Sequence, residues 1–304
     1  MSAVPIVAVV GPTASGKTHL SLDLAASLGG EVVNTDAMQV YRGMDIGTAK
    51  LPPADRRGIP HHLLDTHTVR DPLTVAEFQQ EARAVIAELR ERGTTPVLVG
   101  GSALYTRAVV DCFEFPGTDA DVRAGLEAEL NEVGPHALHM RLRDVDPEAA
   151  ARILPENGRR IVRALEVIEI TGQSFTASLP RLEYVDPRTI QVGVRIDRPT
   201  LNDRIQRRVD NMFEAGLVEE VERLIGEGLA DGRTASRAIG YREVAAYLNG
   251  EMSLDEARER TFVATRRFAR RQESWFRRDP RITWVEYQDP ERADLALAAI
   301  RKLG

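Results

Sequence analysis

The stretch VAVVGPTASGKTHLSLDLA, Val7 to Ala25, sets an apolar run, a glycine-rich loop and a helical pattern end to end. Gly11 to Thr18 satisfies G-x-x-x-x-G-K-[ST] with the strand before it and the helix after it that the motif requires. In that context backbone N–H groups and a helix N-terminus surround phosphate oxygens, Lys17 neutralises their charge, and the Thr18 hydroxyl can hold magnesium. Gly11, Thr13, Ala14, Ser15, Gly16, Lys17 and Thr18 are therefore the anion-binding residues, and the chain must build a parallel α/β sheet around them.

The rhythm of the first third agrees. The pattern predicts strands at 4–10, 31–35, 61–65 and 96–99, a first helix from Gly16 to Leu28, and a second opened by a Thr74-Val-Ala-Glu77 capping box and closed at Gly93. After Phe115-Pro116-Gly117 the pattern turns wholly helical until about Glu183, which reads as an inserted all-α domain over 118–187. The catalytic core then comprises 1–117 and 188–304, resuming with a strand at 189–196 and ending near one at 282–287. A chain of 304 residues suits two such units. The first apolar run is too short to span a membrane, and the single cysteine, Cys112, excludes an intrachain disulfide framework. A cytoplasmic monomer is expected. Net charge is −6, so nucleic-acid contact needs a local basic patch.

A phosphate loop usually serves phosphoryl transfer, but the segment PVLVGGSALY ends in glycines where a magnesium-holding aspartate would stand. The loop suits a pyrophosphate that departs. Asp36, at the end of the second strand, lies at the carboxyl edge where ligands bind, and could coordinate magnesium, accept a proton, or cap a turn. Asp45 reads as a turn residue. Basic residues gather at Arg266, Arg267, Arg270, Arg271, Arg277, Arg278 and Arg281, interleaved with Phe268, Trp275 and Phe276, and again at Arg159, Arg160 and Arg163. This is either a surface tracking nucleic-acid phosphates or a solvated basic helix face. Arg163 can pair instead with Glu166, one helical turn away. His61 and His62 lack metal-ligand partners at suitable spacing.

GPTASGKT, DAMQVYRGMDIGTAK, PHHLLD, GGSALY, RRIVRALEV, SRAIGYRE and TRRFARRQESWFRR, in this order, resemble the tRNA dimethylallyltransferase (tRNA isopentenyltransferase) family over nearly the whole chain. The resemblance implies a P-loop NTPase-like core and transfer of a five-carbon allylic group from dimethylallyl diphosphate to the N6 amine of the adenosine 3′ to the tRNA anticodon. It implies Asp36 as base, Arg237 in SRAIGYRE as second catalytic residue, and Lys17, Thr18, Mg2+ and Ser102 at the diphosphate. The partner would be the anticodon stem-loop, met by Gln39, Arg159, Arg160, Arg163, Arg266, Arg267, Arg270, Arg271, Trp275 and Arg277. Tyr41 is expected to pack in the core. Two departures stand out. Ala37 replaces a frequent serine. Gly100-Gly-Ser-Ala-Leu-Tyr105 carries Ala103 for a usual glycine, harmless at the start of a helix and costly at positive φ. A small-molecule kinase using ATP would explain the loop and Asp36 but not the arginine-rich segments. An NTP-switched RNA-binding module would explain the charge but leave Asp36 and Arg237 without a shared task.

Overall fold

The computed structural model describes residues 4–113, 115–175 and 182–302. The chain divides into two compact units, one built from 1–110 with 184–304 and the other from 111–183. The inserted unit thus begins and ends somewhat earlier than the composition change suggests. Val185 N–H donates to the Val110 carbonyl at 3.0 Å within the first unit, and Cys112 N–H to the Glu183 carbonyl at 2.8 Å within the second, so paired backbone closes each unit at its root.

The first unit holds a six-stranded, all-parallel sheet. Its strands are β1 (Ile6–Val10), β2 (Gly30–Asn34), β3 (His61–His62), β4 (Thr95–Gly100), β5 (Thr189–Arg195) and β6 (Ile282–Glu286), in the spatial order β3-β2-β4-β1-β5-β6. Both faces are covered, which is why β1 reads IVAVV without polar alternation. Ile6, Ala8 and Val10 enter one core. Val7 and Val9 enter the other, beside helices α1 (Lys17–Leu28) and α11 (Arg292–Arg301). On the first face lie α2 (Val75–Glu91), α3 (Ala103–Val110), α7 (Arg198–Glu214), α8 (Leu217–Gly226), α9 (Tyr241–Leu248) and α10 (Leu254–Phe276). The Thr74 capping box forms as expected, Glu77 N–H donating to Thr74 Oγ1 and Thr74 N–H to the Glu77 carboxylate. The strands at 61–65 and 4–10 are shorter than their patterns.

The regular elements of the second unit among its described residues are helices: α4 (Ala120–Val145), kinked at Gly134 (φ 78°) before Pro135, then α5 (Pro147–Arg152) and α6 (Gly158–Thr171). Leu126, Leu138, Leu142, Ile161 and Leu165 form its core. Asp119, Asp146 and Asn157 cap the three helices. Inside it the buried Glu166 carboxylate binds Arg123 at 2.5 Å and Arg163 at 3.0 Å. Arg163 also donates to the carbonyls of Pro116 and Gly117, so the Glu166 pairing offered as its alternative forms and its guanidinium is held within the insert. Arg159 and Arg160, on the first turn of α6, are exposed.

No helix among the described residues is long and apolar enough to cross a membrane.

Candidate active site

The carboxyl ends of β1, β2 and β4 converge, with β4 between the other two. From β1 comes the phosphate loop, whose turns require Gly11 (φ 143°), Ala14 (φ 61°) and Gly16 (φ 90°) in the left-handed half of backbone space. Ser15 Oγ is buried with no hydrogen-bond partner among the described residues, an orphan acceptor and donor inside the loop. No side chain caps α1, so its first-turn N–H groups remain available to an anion. The Lys17 ammonium donates to the Pro12 carbonyl at 2.6 Å. Burial lowers its pKa to about 7; Arg208 pushes in the same direction and Asp36 opposes it.

From β2 comes Asp36. Asn34 clamps its backbone, accepting from Asp36 N–H at 2.9 Å and donating to the Asp36 carbonyl at 3.1 Å. One Asp36 oxygen accepts Met38 N–H at 2.9 Å, so the turn-capping role is real, and the other oxygen has no partner among the described residues. The same carboxylate acts electrostatically on Lys17, Arg208 and Tyr105, which places it inside the cationic group. Burial, with Tyr41 and Asp36 adding to it, pushes the Tyr105 phenol up to about 12, so this hydroxyl stays protonated. Tyr41 is fully buried and packs in the core, as its position suggests.

From β4 come Gly100, Gly101 and Ser102. A Cβ on Gly100 would stand 2.2 Å from Thr35 Oγ1, and one on Gly101 2.3 Å from Gln272 Nε2, so neighbouring groups occupy the space a side chain would need. Ser102 precedes α3 with its hydroxyl unpaired among the described residues. Ala103 opens that helix and is not a positive-φ residue, so its Cβ is tolerated.

Two arginines missing from the sequence reading complete the group. Arg204 and Arg208 lie one turn apart on α7. Arg204 donates to the Ala14 carbonyl and to the Tyr287 hydroxyl, each at 2.6 Å, with its guanidinium 4.6 Å from the Tyr287 ring centroid. Arg208 donates to the Thr48 carbonyl at 3.0 Å, and burial lowers its pKa while Asp36 raises it. Gln39 Nε2 donates to the same Thr48 carbonyl at 3.2 Å, leaving its oxygen unpaired among the described residues. Arg237 does not join them. It ends a 3₁₀ turn (Ala235–Arg237), is exposed, and its side chain makes no hydrogen bond or ion pair among the described residues, so the guanidinium beside Lys17 and Asp36 belongs to Arg208.

The DIGTAK loop is held from beneath. Glu220, buried on α8, accepts the N–H groups of Asp45, Ile46 and Gly47 at 3.2, 2.9 and 3.2 Å. Tyr241 donates its hydroxyl to the same carboxylate, and a Cβ on Gly47 would strike the Tyr241 ring at 2.4 Å. The Lys50 ammonium bridges Asp45 and Asp65 at 2.7 and 2.5 Å, which makes Asp45 structural. His61 and His62 are structural too, bonded to the Ile59 carbonyl and to Glu31.

Along α10 the buried stripe is Ala257, Thr261, Ala269, Gln272 and Phe276, and Arg266, Arg267, Arg270 and Arg271 are exposed. Arg277 pairs with Glu273 at 2.6 Å, and Trp275 is 53% exposed, a large aromatic presented to solvent. Arg281 is turned inward onto Asp279 and the Tyr184 ring. Between α7 and α10 runs a groove of about 320 Å³ lined by Arg198, Asn202, Arg266, Arg267 and Arg270. No trio of His, Cys, Asp or Glu that could hold a metal exists among the described residues, and Thr18 is exposed at the start of α1. A hydroxyl suits magnesium, which takes hard oxygens and draws most of them from phosphate and water.

A profile of the IPP transferase family matches residues 39–279. The chain is 76% identical to the tRNA dimethylallyltransferase of Nocardioides sp. (strain ATCC BAA-499 / JS614), covering 97% of this chain and 96% of that one. It is 59% identical to that of Streptomyces coelicolor over 97% and 94% of the two chains. The crystal structure of the tRNA isopentenylpyrophosphate transferase of Bacillus halodurans superposes with a TM-score of 0.73 at 42% identity, over 98% of this chain and 96% of that one. A eukaryotic dimethylallyltransferase crystallised acting on tRNA gives 0.83 at 26% identity, over 98% and 77%. With the phosphate loop, the carboxylate at β2 and the arginine-bearing α10 in one unit, the chain belongs to the IPP transferase family of tRNA dimethylallyltransferases.

Proposed function

We propose that this protein transfers a dimethylallyl group from dimethylallyl diphosphate to N6 of the adenosine 3′ to the tRNA anticodon, in the cytoplasm, releasing diphosphate. The observation that carries the reading is the Asp36 carboxylate set among Lys17, Arg208 and Tyr105 at the edge of a phosphate loop. A kinase would want a magnesium-holding carboxylate at the end of β4, where Gly100, Gly101 and Ser102 stand.

In the reaction the N6 lone pair forms a bond to the allylic C1 as the C1–O bond to diphosphate breaks, the electron pair leaving on oxygen. The unpaired Asp36 oxygen takes the N6 proton, a contribution of about 10²- to 10⁴-fold for positioned general bases. Lys17, Arg208, the Ser15 hydroxyl and the first-turn N–H groups of α1 meet the charge growing on the departing oxygens. Magnesium held through Thr18 would supply further charge neutralisation. The guanidinium fork of Arg208 spans two phosphate oxygens as a lysine could not. The adenine must leave the loop's stack to reach Asp36, and the free oxygen of Gln39 can accept from a base edge. Arg266, Arg267, Arg270, Arg271, Arg277, Arg159 and Arg160 serve RNA phosphates, and Trp275 offers a stacking face.

The test is incubation of the purified protein with unmodified tRNA and dimethylallyl diphosphate, followed by mass spectrometry of the nucleosides. One added C5H8 on the adenosine beside the anticodon is expected. Unmodified adenosine, or phosphoryl transfer from ATP in its place, overturns the reading.

A further inference from the structure

Gln272 is the one long polar side chain on the buried stripe of α10, 5% exposed among Thr261, Ala269 and Phe276. Its oxygen accepts the Thr13 N–H of the phosphate loop at 2.8 Å, and its nitrogen donates to the Gly101 carbonyl beyond β4, also at 2.8 Å. One carboxamide therefore ties the exit of β1 to the exit of β4. The two partners, one donor and one acceptor, match a carboxamide, which offers both an N–H donor and a carbonyl acceptor.

The loop has reason to need the tie. Its Ala14 sits at φ 61°, a left-handed backbone that a residue with a Cβ keeps only where its surroundings over-determine it. Two side chains hold it from outside: Arg204 from α7, on the Ala14 carbonyl, and Gln272 from α10, on the Thr13 amide.

We propose that Gln272 is a positioning residue for the diphosphate half of the site: it pre-forms the phosphate loop, so that ordering the loop is not charged against diphosphate binding. It sits on the helix whose outer face carries Arg266, Arg267, Arg270 and Arg271, so one element holds the loop with its inner face and presents cations on its outer one. The inference rests on the diphosphate reading above.

Calorimetry with inorganic diphosphate, on the whole protein without RNA, tests it. Replacing Gln272→Met removes both bonds at similar volume and should weaken binding about tenfold, the worth of a hydrogen bond or two. Gln272→Glu should weaken it more at neutral pH, because an ionised oxygen would face the Gly101 carbonyl and the incoming anion. Once protonated, that carboxyl donates to the Gly101 oxygen and accepts from Thr13, so the deficit relative to wild type should shrink as pH falls. A merely structural role would lower the unfolding midpoint and leave the diphosphate affinity of the folded protein at the wild-type value. Gly101→Ala, which drives a Cβ into Gln272 Nε2, should reproduce the loss from the other side of the contact. In each variant affinity for tRNA should hold within about twofold, because the exposed arginines that meet phosphate are untouched. Equal diphosphate affinity in wild type and all three variants overturns the proposal, as does a Gln272→Glu deficit indifferent to pH. Absence of diphosphate binding in the wild type instead overturns the reading beneath it.

Discussion

Tyr241 donates its hydroxyl to the Glu220 carboxylate at 2.5 Å, and through that carboxylate α9 and α8 together carry the loop that holds Thr48. Thr48 in turn accepts from Arg208 and Gln39, so a buried acid on α8 sets two site residues. Burial and the neighbouring carboxylate push the Tyr241 phenol well above its ordinary pKa, so it stays a donor. Replacing Tyr241→Phe should destabilise the fold by about 1.5–3 kcal/mol, the range for a hydrogen bond to a charged group. Denaturant unfolding with an unchanged midpoint would show that the bond contributes nothing.

Asp36→Asn removes the base and keeps the cap on Met38. Single-turnover transfer should fall by about 10²- to 10⁴-fold. Diphosphate affinity should hold or rise, because a negative charge leaves the anion site. Unchanged single-turnover chemistry accompanied by lost tRNA binding would remove Asp36 from the proton-transfer step.

Arg208 and Arg237 separate cleanly. Arg208→Gln should lower transfer by about 10²-fold or more, as for loss of a charge-stabilising donor. Arg237→Ala should leave single-turnover transfer within about threefold, as expected for an exposed side chain outside the reacting group. The reverse ranking in single-turnover assays would return the second catalytic role to Arg237.

Lys17 couples diphosphate binding to pH. In the protein by itself its pKa is about 7. A bound anion favours the ammonium and raises that pKa. Below about pH 7 the lysine is charged before binding and affinity is at its fullest; above it a proton must be taken up, and affinity falls by up to about tenfold per pH unit until the bound-state pKa is passed. Calorimetry near pH 8, in two buffers of different ionisation enthalpy, should register proton uptake. A buffer-independent heat would refute the assignment.

Arg270 and Arg271 are exposed on α10 and make no ion pair among the described residues. Replacing both with alanine should weaken tRNA binding and lower the slope of log affinity against log salt by about one to two. A slope equal to wild type would take both off the phosphate-contacting surface.

Much of this is legible in the sequence. The strand-loop-helix context of Gly11 to Thr18, the carboxylate at the end of β2 and the return to the sheet at Thr189 follow from apolar periodicity and glycine chemistry, which are local. The missed residues are polar groups whose partners lie far away in sequence. Arg204 and Arg208 stand in a charge-rich helix where no local pattern singles them out, yet each reaches a carbonyl of a distant loop. Glu220 and Gln272 were more visible than that. Glu220 interrupts the apolar stripe Leu217, Val221, Leu224, and Gln272 the stripe Ala269, Phe276. A charged or amide side chain at a core position is itself a sign of a buried partner, although only the fold names it. SRAIGYRE misleads for the opposite reason: its conspicuous Arg237 is exposed, while Tyr241 carries the structural load.

The ring of Tyr287, just past β6, stands close enough to Gly16 that a Cβ there would lie 3.0 Å away, and its hydroxyl receives Arg204. The phosphate loop precedes the helical insert in the chain and this aromatic wall follows it, so a nascent chain carries the anion motif before it owns the ring that walls the anion site.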